Sequence, residues 1–155
     1  MVKKRKKDIV LNVGVTDGGE SEADLFVMSA RVLNTFSREE AHKIAAMGTY
    51  AIEKVMKLPL VSLGDVIEKH LDGKCPAFLS IDVEGWDERI LKKFDWEKYK
   101  PAVVCVETLE YAEKRNGNKL ISLIEFMVSV GYMVYADTYI NTIFVNSVVW
   151  SKRHG

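Results

Sequence analysis

The second half of the sequence alternates between two kinds of segment, and that alternation limits the folds open to it. Short apolar runs rich in β-branched and aromatic residues, "AFLSID", "AVVCVET", "YMVYAD" and "NTIFVN", are separated by the amphipathic stretches "DERILKKF" and "KLISLIEFMVSV". The runs read as strands and the stretches as helices, the second ending at Gly131. Strand, helix, strand, helix, strand is the pattern of a mostly parallel sheet with helices on its faces. The last two runs lie too close together for a crossover helix, so they must pair antiparallel.

The first half is less regular. After a basic leader over residues 1–8, "DIVLNVGV" predicts a strand over residues 9–15. "TDGG" is turn chemistry and "ADLFVMS" a second strand, which together predict a hairpin. Ser37, with Glu40 three residues on, has the spacing of a capping box and predicts a helix that stops at Gly48. "IEKVMKLPLVSL" predicts a strand in which Pro59 calls for an edge position or a break. Ser62 then caps a helix that ends near Asp72 and Gly73.

At 155 residues the chain suits one domain with a proper core. It carries 22 Lys and Arg against 22 Asp and Glu, so net charge draws it neither to nucleic acid nor to an acidic membrane. No apolar run is long enough to span a bilayer. The lysines of residues 3–7 read as a solvated terminus, because no aromatic residues are interleaved to stack bases. Cys75 and Cys105 lack metal-type spacing, and Cys105 reads as a small core residue. The expectation is a cytoplasmic protein with reduced thiols. "VGVTDGGE" has the outer glycine spacing of a phosphate loop, but Glu20 stands where lysine must be.

Two strand ends carry acids. The run "FLSID" stops at Asp82, followed by Glu84 and Gly85, and the next run ends at Glu107. In open α/β sheets ligands bind outside the carboxyl ends of parallel strands. Side chains alternate with period two, so Asp82 and Glu84 would point to one side if the strand geometry persists. Gly85 permits a sharp turn or the close approach of a ligand. Three carboxylates along one edge could accept hydrogen bonds from amines or hydroxyls, hold Mg²⁺ or Mn²⁺, or provide a general base. The bland reading has Glu84 capping the next helix and Asp82 pairing with a lysine; acids on two strand ends together favour the functional one. Trp86 reads as a packing residue that could also wall a ligand pocket. Trp96 and Tyr99 read as packing residues. Asn141 either makes the hairpin turn or reaches the site edge.

The stretch "FLSIDVEGWDERILKKFDWEKYKPAVVCVET" resembles the signature region of FkbM-type methyltransferases: an apolar strand, Ile-Asp-Val-Glu-Gly, a helix, a proline, and a strand ending in Glu. "LNVGVTDGG", "FVMS", "LNTFS" and "GYMVYADTYINTIFV" resemble other stretches of these proteins in the same order, so the resemblance covers nearly the whole chain. It implies a Rossmann-like class I methyltransferase sheet, mostly parallel with a C-terminal antiparallel hairpin. It also implies S-adenosylmethionine as methyl donor and a hydroxyl of a sugar or other small-molecule scaffold as acceptor. By position, Asp82, Glu84 and Gly85 match the family's acidic strand-end motif, and Glu107 the glutamate that ends the next strand. The catalytic candidates are then Asp82, Glu84 and Glu107, the donor-binding ones Asp82 and Gly85, and the acceptor-binding ones Trp86 and Asn141. In the family a strand and glycine-rich turn that cradle the donor precede the matching region, so the expectation is an N-terminally truncated domain. The alternative is a non-catalytic relative that serves as an oligomerisation or interaction module. Both readings predict a homo-oligomer through an exposed sheet edge.

Overall fold

The computed structural model describes residues 8–83, 86–109 and 117–154. The chain divides into two compact units, residues 1–62 and 63–155.

In the first unit, strands β1 (Gly14–Thr16), β2 (Glu22–Met28) and β3 (Ile52–Ser62) form a sheet of order β1-β3-β2. The expected hairpin is therefore corrected: β1 and β2 do not pair. β3 lies between them, parallel to β1 and antiparallel to β2. The turn chemistry does appear, with Gly18 at φ 96°, but it redirects the chain across β3 instead of folding it back. The first strand is also shorter than residues 9–15. Only Gly14–Thr16 joins the ladder, and Ile9 and Val10 remain more than half exposed.

β3 is the central strand, yet it carries Pro59. The N–H of Leu60 donates to Ser21 O on the β2 side at 2.8 Å, so the nitrogen of Pro59 faces the other side. There β1 pairs only from Leu60 onward. Locally, Pro59 sits on an edge, as a residue without an N–H must.

The core of this unit comes from Phe26 and Met28, two residues apart on β2, and Ala41 of helix α1 (Arg38–Ala46), with Leu33, Ile44 and Ile52 packed around them. Ser37 caps α1, its hydroxyl accepting from Glu40 N–H at 3.2 Å. The return bond runs through Thr35: Ser37 N–H donates to Thr35 Oγ1 at 3.1 Å, and that hydroxyl donates to Glu40 Oε2 at 2.7 Å.

The second unit opens with α2 (Leu63–His70), which follows β3 directly. Then come β4 (Phe78–Ile81), α3 (Asp87–Lys93), β5 (Val103–Glu107), α4 (Ile121–Ser129), β6 (Tyr132–Asp137), β7 (Asn141–Asn146) and the short α5 (Ser147–Ser151). The sheet order is β4-β5-β7-β6. β4, α3 and β5 form the expected parallel unit, and β6 and β7 the expected antiparallel pair. A mostly parallel sheet is not what results. Among the described residues, parallel pairing is confined to β1 with β3 and β4 with β5; the other three strand pairs are antiparallel. Three residues, 138–140, link β6 to β7, too few for a crossover. β7 therefore runs back, and it inserts between β5 and β6. β6 still points in the direction of β5.

One face of this sheet is buried: Val104, Val106 and Phe144 have no exposure, as do Leu123 and Met127 of α4. Beside them lies an aromatic cluster. Trp96 meets Phe94 at 4.9 Å and Tyr132 at 5.2 Å, both edge to face. Trp96 Nε1–H donates to Leu91 O at 2.7 Å, and the Tyr132 hydroxyl to Pro101 O at 2.7 Å. Tyr99 is buried and gives its hydroxyl to the Glu68 carboxylate, which also holds Lys98 at 2.6 Å. Trp96 and Tyr99 are thus packing residues, as their sequence context suggests.

Candidate functional site

The last ladder pair between β4 and β5 is Ile81 with Val106. The next residue on β4's side is Asp82, and the next on β5 is Glu107. Across the other edge of β5, Glu107 stands opposite Asn141, the first residue of β7. Three residues that sequence reasoning singled out separately therefore share one row across adjacent strands, at the carboxyl ends of β4 and β5. Asp82 is exposed; Glu107 and Asn141 are half-buried. Directly opposed residues share a face. Glu107 and Asn141 thus stand on the face that also carries Val103, Cys105, Ile143 and Val145. Glu84 and Gly85 lie outside the described residues.

Val83, the residue after Asp82, is held by a residue that sequence reasoning passed over. Asp87, the first residue of α3, is 4% exposed. Its carboxylate accepts from Val83 N–H, with Oδ1 at 3.3 Å and Oδ2 at 3.4 Å. An acid in the first turn also complements the helix dipole. Asp87 therefore ties Val83 to the start of α3. A signal was present: an acid at a helix start, five residues beyond another at a strand end. Trp86 stands immediately before α3, half-buried, with the Arg89 guanidinium 5.1 Å over its ring. It belongs to the same loop as Asp82.

A buried polar network backs the other end of the row. Glu107 and Asn141 are each followed by a threonine, and these threonines meet: Thr108 Oγ1 lies 2.6 Å from Thr142 Oγ1, both essentially unexposed. Lys119 Nζ donates to Thr108 Oγ1 at 3.0 Å and to Asp137 Oδ1 at 2.7 Å. With one proton and two lone pairs on each hydroxyl, either threonine can donate in the Thr108–Thr142 bond while Thr108 accepts from Lys119. Asp137 Oδ1 also accepts from Tyr139 N–H at 2.7 Å, holding a turn in which Tyr139 takes φ 75°. Asn141 closes that turn through its backbone, accepting from Thr138 N–H at 2.9 Å and donating to Thr138 Oγ1 at 3.1 Å. The Lys119 ammonium, and next the Tyr139 N–H, hold the Asp137 carboxyl below the usual carboxylate range. Sequence alone does not reveal this network, because its members lie 11, 18 and 34 positions apart and only strand register unites them.

Among the described residues, no three His, Cys, Asp or Glu side chains cluster closely enough to hold a metal ion. No described helix is long and apolar enough to cross a membrane. Gly14, the first glycine of the "VGVTDGGE" stretch, has a packing role: a Cβ there would lie 2.6 Å from Leu60 Cδ2 and 3.0 Å from Phe36 Cζ.

Comparison with curated proteins and with solved structures yields no match. A family model described as the methyltransferase FkbM domain matches residues 2–134. That span includes both acid-bearing strand ends and Asp87, and it stops within β6, ahead of Asn141. By this match over most of its length, the chain belongs to the family of methyltransferase FkbM domains.

Proposed function

We propose that the chain is an S-adenosylmethionine-dependent methyltransferase domain that O-methylates a hydroxyl of a sugar or another small-molecule scaffold. The observation that carries this reading is the row of Asp82, Glu107 and Asn141 at the carboxyl ends of β4 and β5, in a chain of a methyltransferase family. The row suits both ligands. Carboxylates accept from an ammonium or from ribose hydroxyls, and an amide both donates and accepts. We read the second unit as part of a Rossmann-like sheet, supported by the parallel β4–α3–β5 unit and its carboxyl-end acids.

S-adenosylmethionine, when bound, supplies an electrophilic methyl group on a sulfonium. Asp82 and Gly85 are the residues we assign to holding it. Asn141 and Trp86 would orient the acceptor, the amide by hydrogen bonding and the indole as a wall. One of Asp82, Glu84 and Glu107 takes the hydroxyl proton as the oxygen–carbon bond forms and the carbon–sulfur bond breaks. Most of the acceleration would come from holding the hydroxyl in line with the methyl group.

The test is transfer of label from methyl-labelled S-adenosylmethionine to a panel of sugar and polyol hydroxyls. The wild-type chain should label at least one acceptor, and Asp82→Asn and Glu107→Gln should lose most of that rate. Labelling that survives both substitutions would remove the row from the chemistry.

One observation favours a second reading, an interaction module. β4 lies at an edge of its sheet and Phe78 on it is 57% exposed, the kind of edge to which another chain adds a strand. Sedimentation should then show a homo-oligomer that Phe78→Lys weakens, and a monomer at every concentration would exclude it.

A further inference from the structure

Beneath α5 lies a cavity of about 270 Å³, walled by Val103 of β5, Ile143 and Val145 of β7, Tyr135 of β6, and Val149 and Trp150 of α5. It opens on the same sheet face as the candidate site but at the other end of β5. Val103 stands four residues before Glu107, roughly 13 Å along the strand, so the two sites are distinct. Three features build it. Asn146 caps α5 by accepting from Val148 and Val149 N–H at 3.0 and 3.2 Å, which fixes the helix as a wall. The register shift between Val134 and Ala136 falls at Tyr135, and such bulges re-aim a side chain; the Tyr135 ring stands 5.2 Å from that of Trp150. Arg153 also lines the cavity, its guanidinium 5.2 Å over the Trp150 ring, and among the described residues no carboxylate pairs with it.

An almost wholly apolar hollow with two aromatic walls and one guanidinium that no described carboxylate pairs with has a definite complement. We propose that this cavity binds a small carboxylate with a flat apolar body, the body between Tyr135, Trp150 and the β7 valine and isoleucine, the carboxylate on Arg153. The volume lies near the lower end for ligand pockets, which limits the body to roughly a dozen non-hydrogen atoms. Charge complementarity selects the anion: guanidinium and carboxylate match as a fork.

The probe is 2-naphthoate, with uncharged 2-naphthamide as its partner, titrated into the full chain by calorimetry with methyl resonances followed by NMR. The expected result is saturable one-to-one binding of 2-naphthoate that shifts the methyls of Val103, Ile143 and Val145. Arg153→Gln should weaken the acid at least about tenfold, the loss of its charge-assisted hydrogen bonding, and leave the amide unchanged. Val149→Trp should fill the cavity and abolish both, whereas Val148→Trp, on an exposed position outside the lining, should abolish neither. Absence of saturable binding would overturn the proposal, as would binding that Val149→Trp leaves intact or an acid affinity indifferent to Arg153→Gln.

Discussion

Lys119→Met is the substitution that most directly tests the polar network behind the Glu107–Asn141 edge. Lys119 is 21% exposed and makes two charged contacts, to Thr108 Oγ1 at 3.0 Å and Asp137 Oδ1 at 2.7 Å. The first ends on a fully buried hydroxyl and should be worth about 1 kcal/mol. The second involves a carboxylate 44% exposed, which solvent screening holds to roughly 0.5 kcal/mol. Methionine retains the apolar stem, so packing is largely kept. The expected cost is therefore about 1–2 kcal/mol, read as a lower urea midpoint at unchanged slope. The pH dependence is a second, independent readout. The folded state holds the Asp137 carboxyl below its unfolded value. Its contribution is thus complete above the unfolded carboxylate pKa, about 3.9, and is lost as pH falls through the lower folded value. The stability gap between wild type and Lys119→Met should be flat at neutral pH and shrink below about pH 4. Some acid sensitivity persists in the variant, because Tyr139 N–H still bonds Asp137. A cost under about 0.3 kcal/mol, or a gap that stays constant to pH 2, would refute the bridging role.

Two further substitutions probe the scaffold. Gly14→Ala puts a Cβ 2.6 Å from Leu60 Cδ2, so it should cost about 1–3 kcal/mol by overpacking; Leu60→Ala in the same chain should recover part of that, and an additive pair would contradict the contact. Asp87→Ala removes the acceptor of Val83 N–H and a first-turn charge, with an expected loss of about 1–2 kcal/mol. Amide exchange at Val83 should accelerate beyond what the global loss explains, and unchanged local protection would show that Asp87 does not hold Val83.

The elements of the second unit were legible because each is short and strongly patterned. Ile90, Leu91 and Phe94 along and just past one helix, Leu123 and Met127 on another, and Val104 and Val106 on a strand are all buried at the spacing their element demands. The acid-bearing strand ends were visible for the same reason, since Asp82 and Glu107 each follow an apolar run. What the sequence did not show was pairing. The position of β3 between β1 and β2 depends on which edges are free after each strand forms, and no local signal in "TDGG" separates a hairpin from a crossing. The insertion of β7 beside β5 is of the same kind. It alone sets Asn141 opposite Glu107 and Thr142 against Thr108. Asp87 escaped notice because a helix-starting acid ordinarily faces solvent, and only its burial shows that it bonds backward. Helix α5 is a case of weak patterning: "SVVWS" has no periodicity over five residues, and its definition comes from the Asn146 cap.

On the proposed function, the carboxyl ends of β4 and β5 form a methyl-donor site. Calorimetric titration with S-adenosylhomocysteine tests it most directly, on the wild-type chain, Asp82→Ala, and Glu97→Ala as a control on an exposed acid away from the row. Wild type and Glu97→Ala should show saturable one-site binding. Asp82→Ala should bind about 10–100-fold more weakly, the loss of a charged hydrogen-bond acceptor. A folded chain that takes up no S-adenosylhomocysteine, or one that binds it equally well without the Asp82 carboxylate, would contradict it.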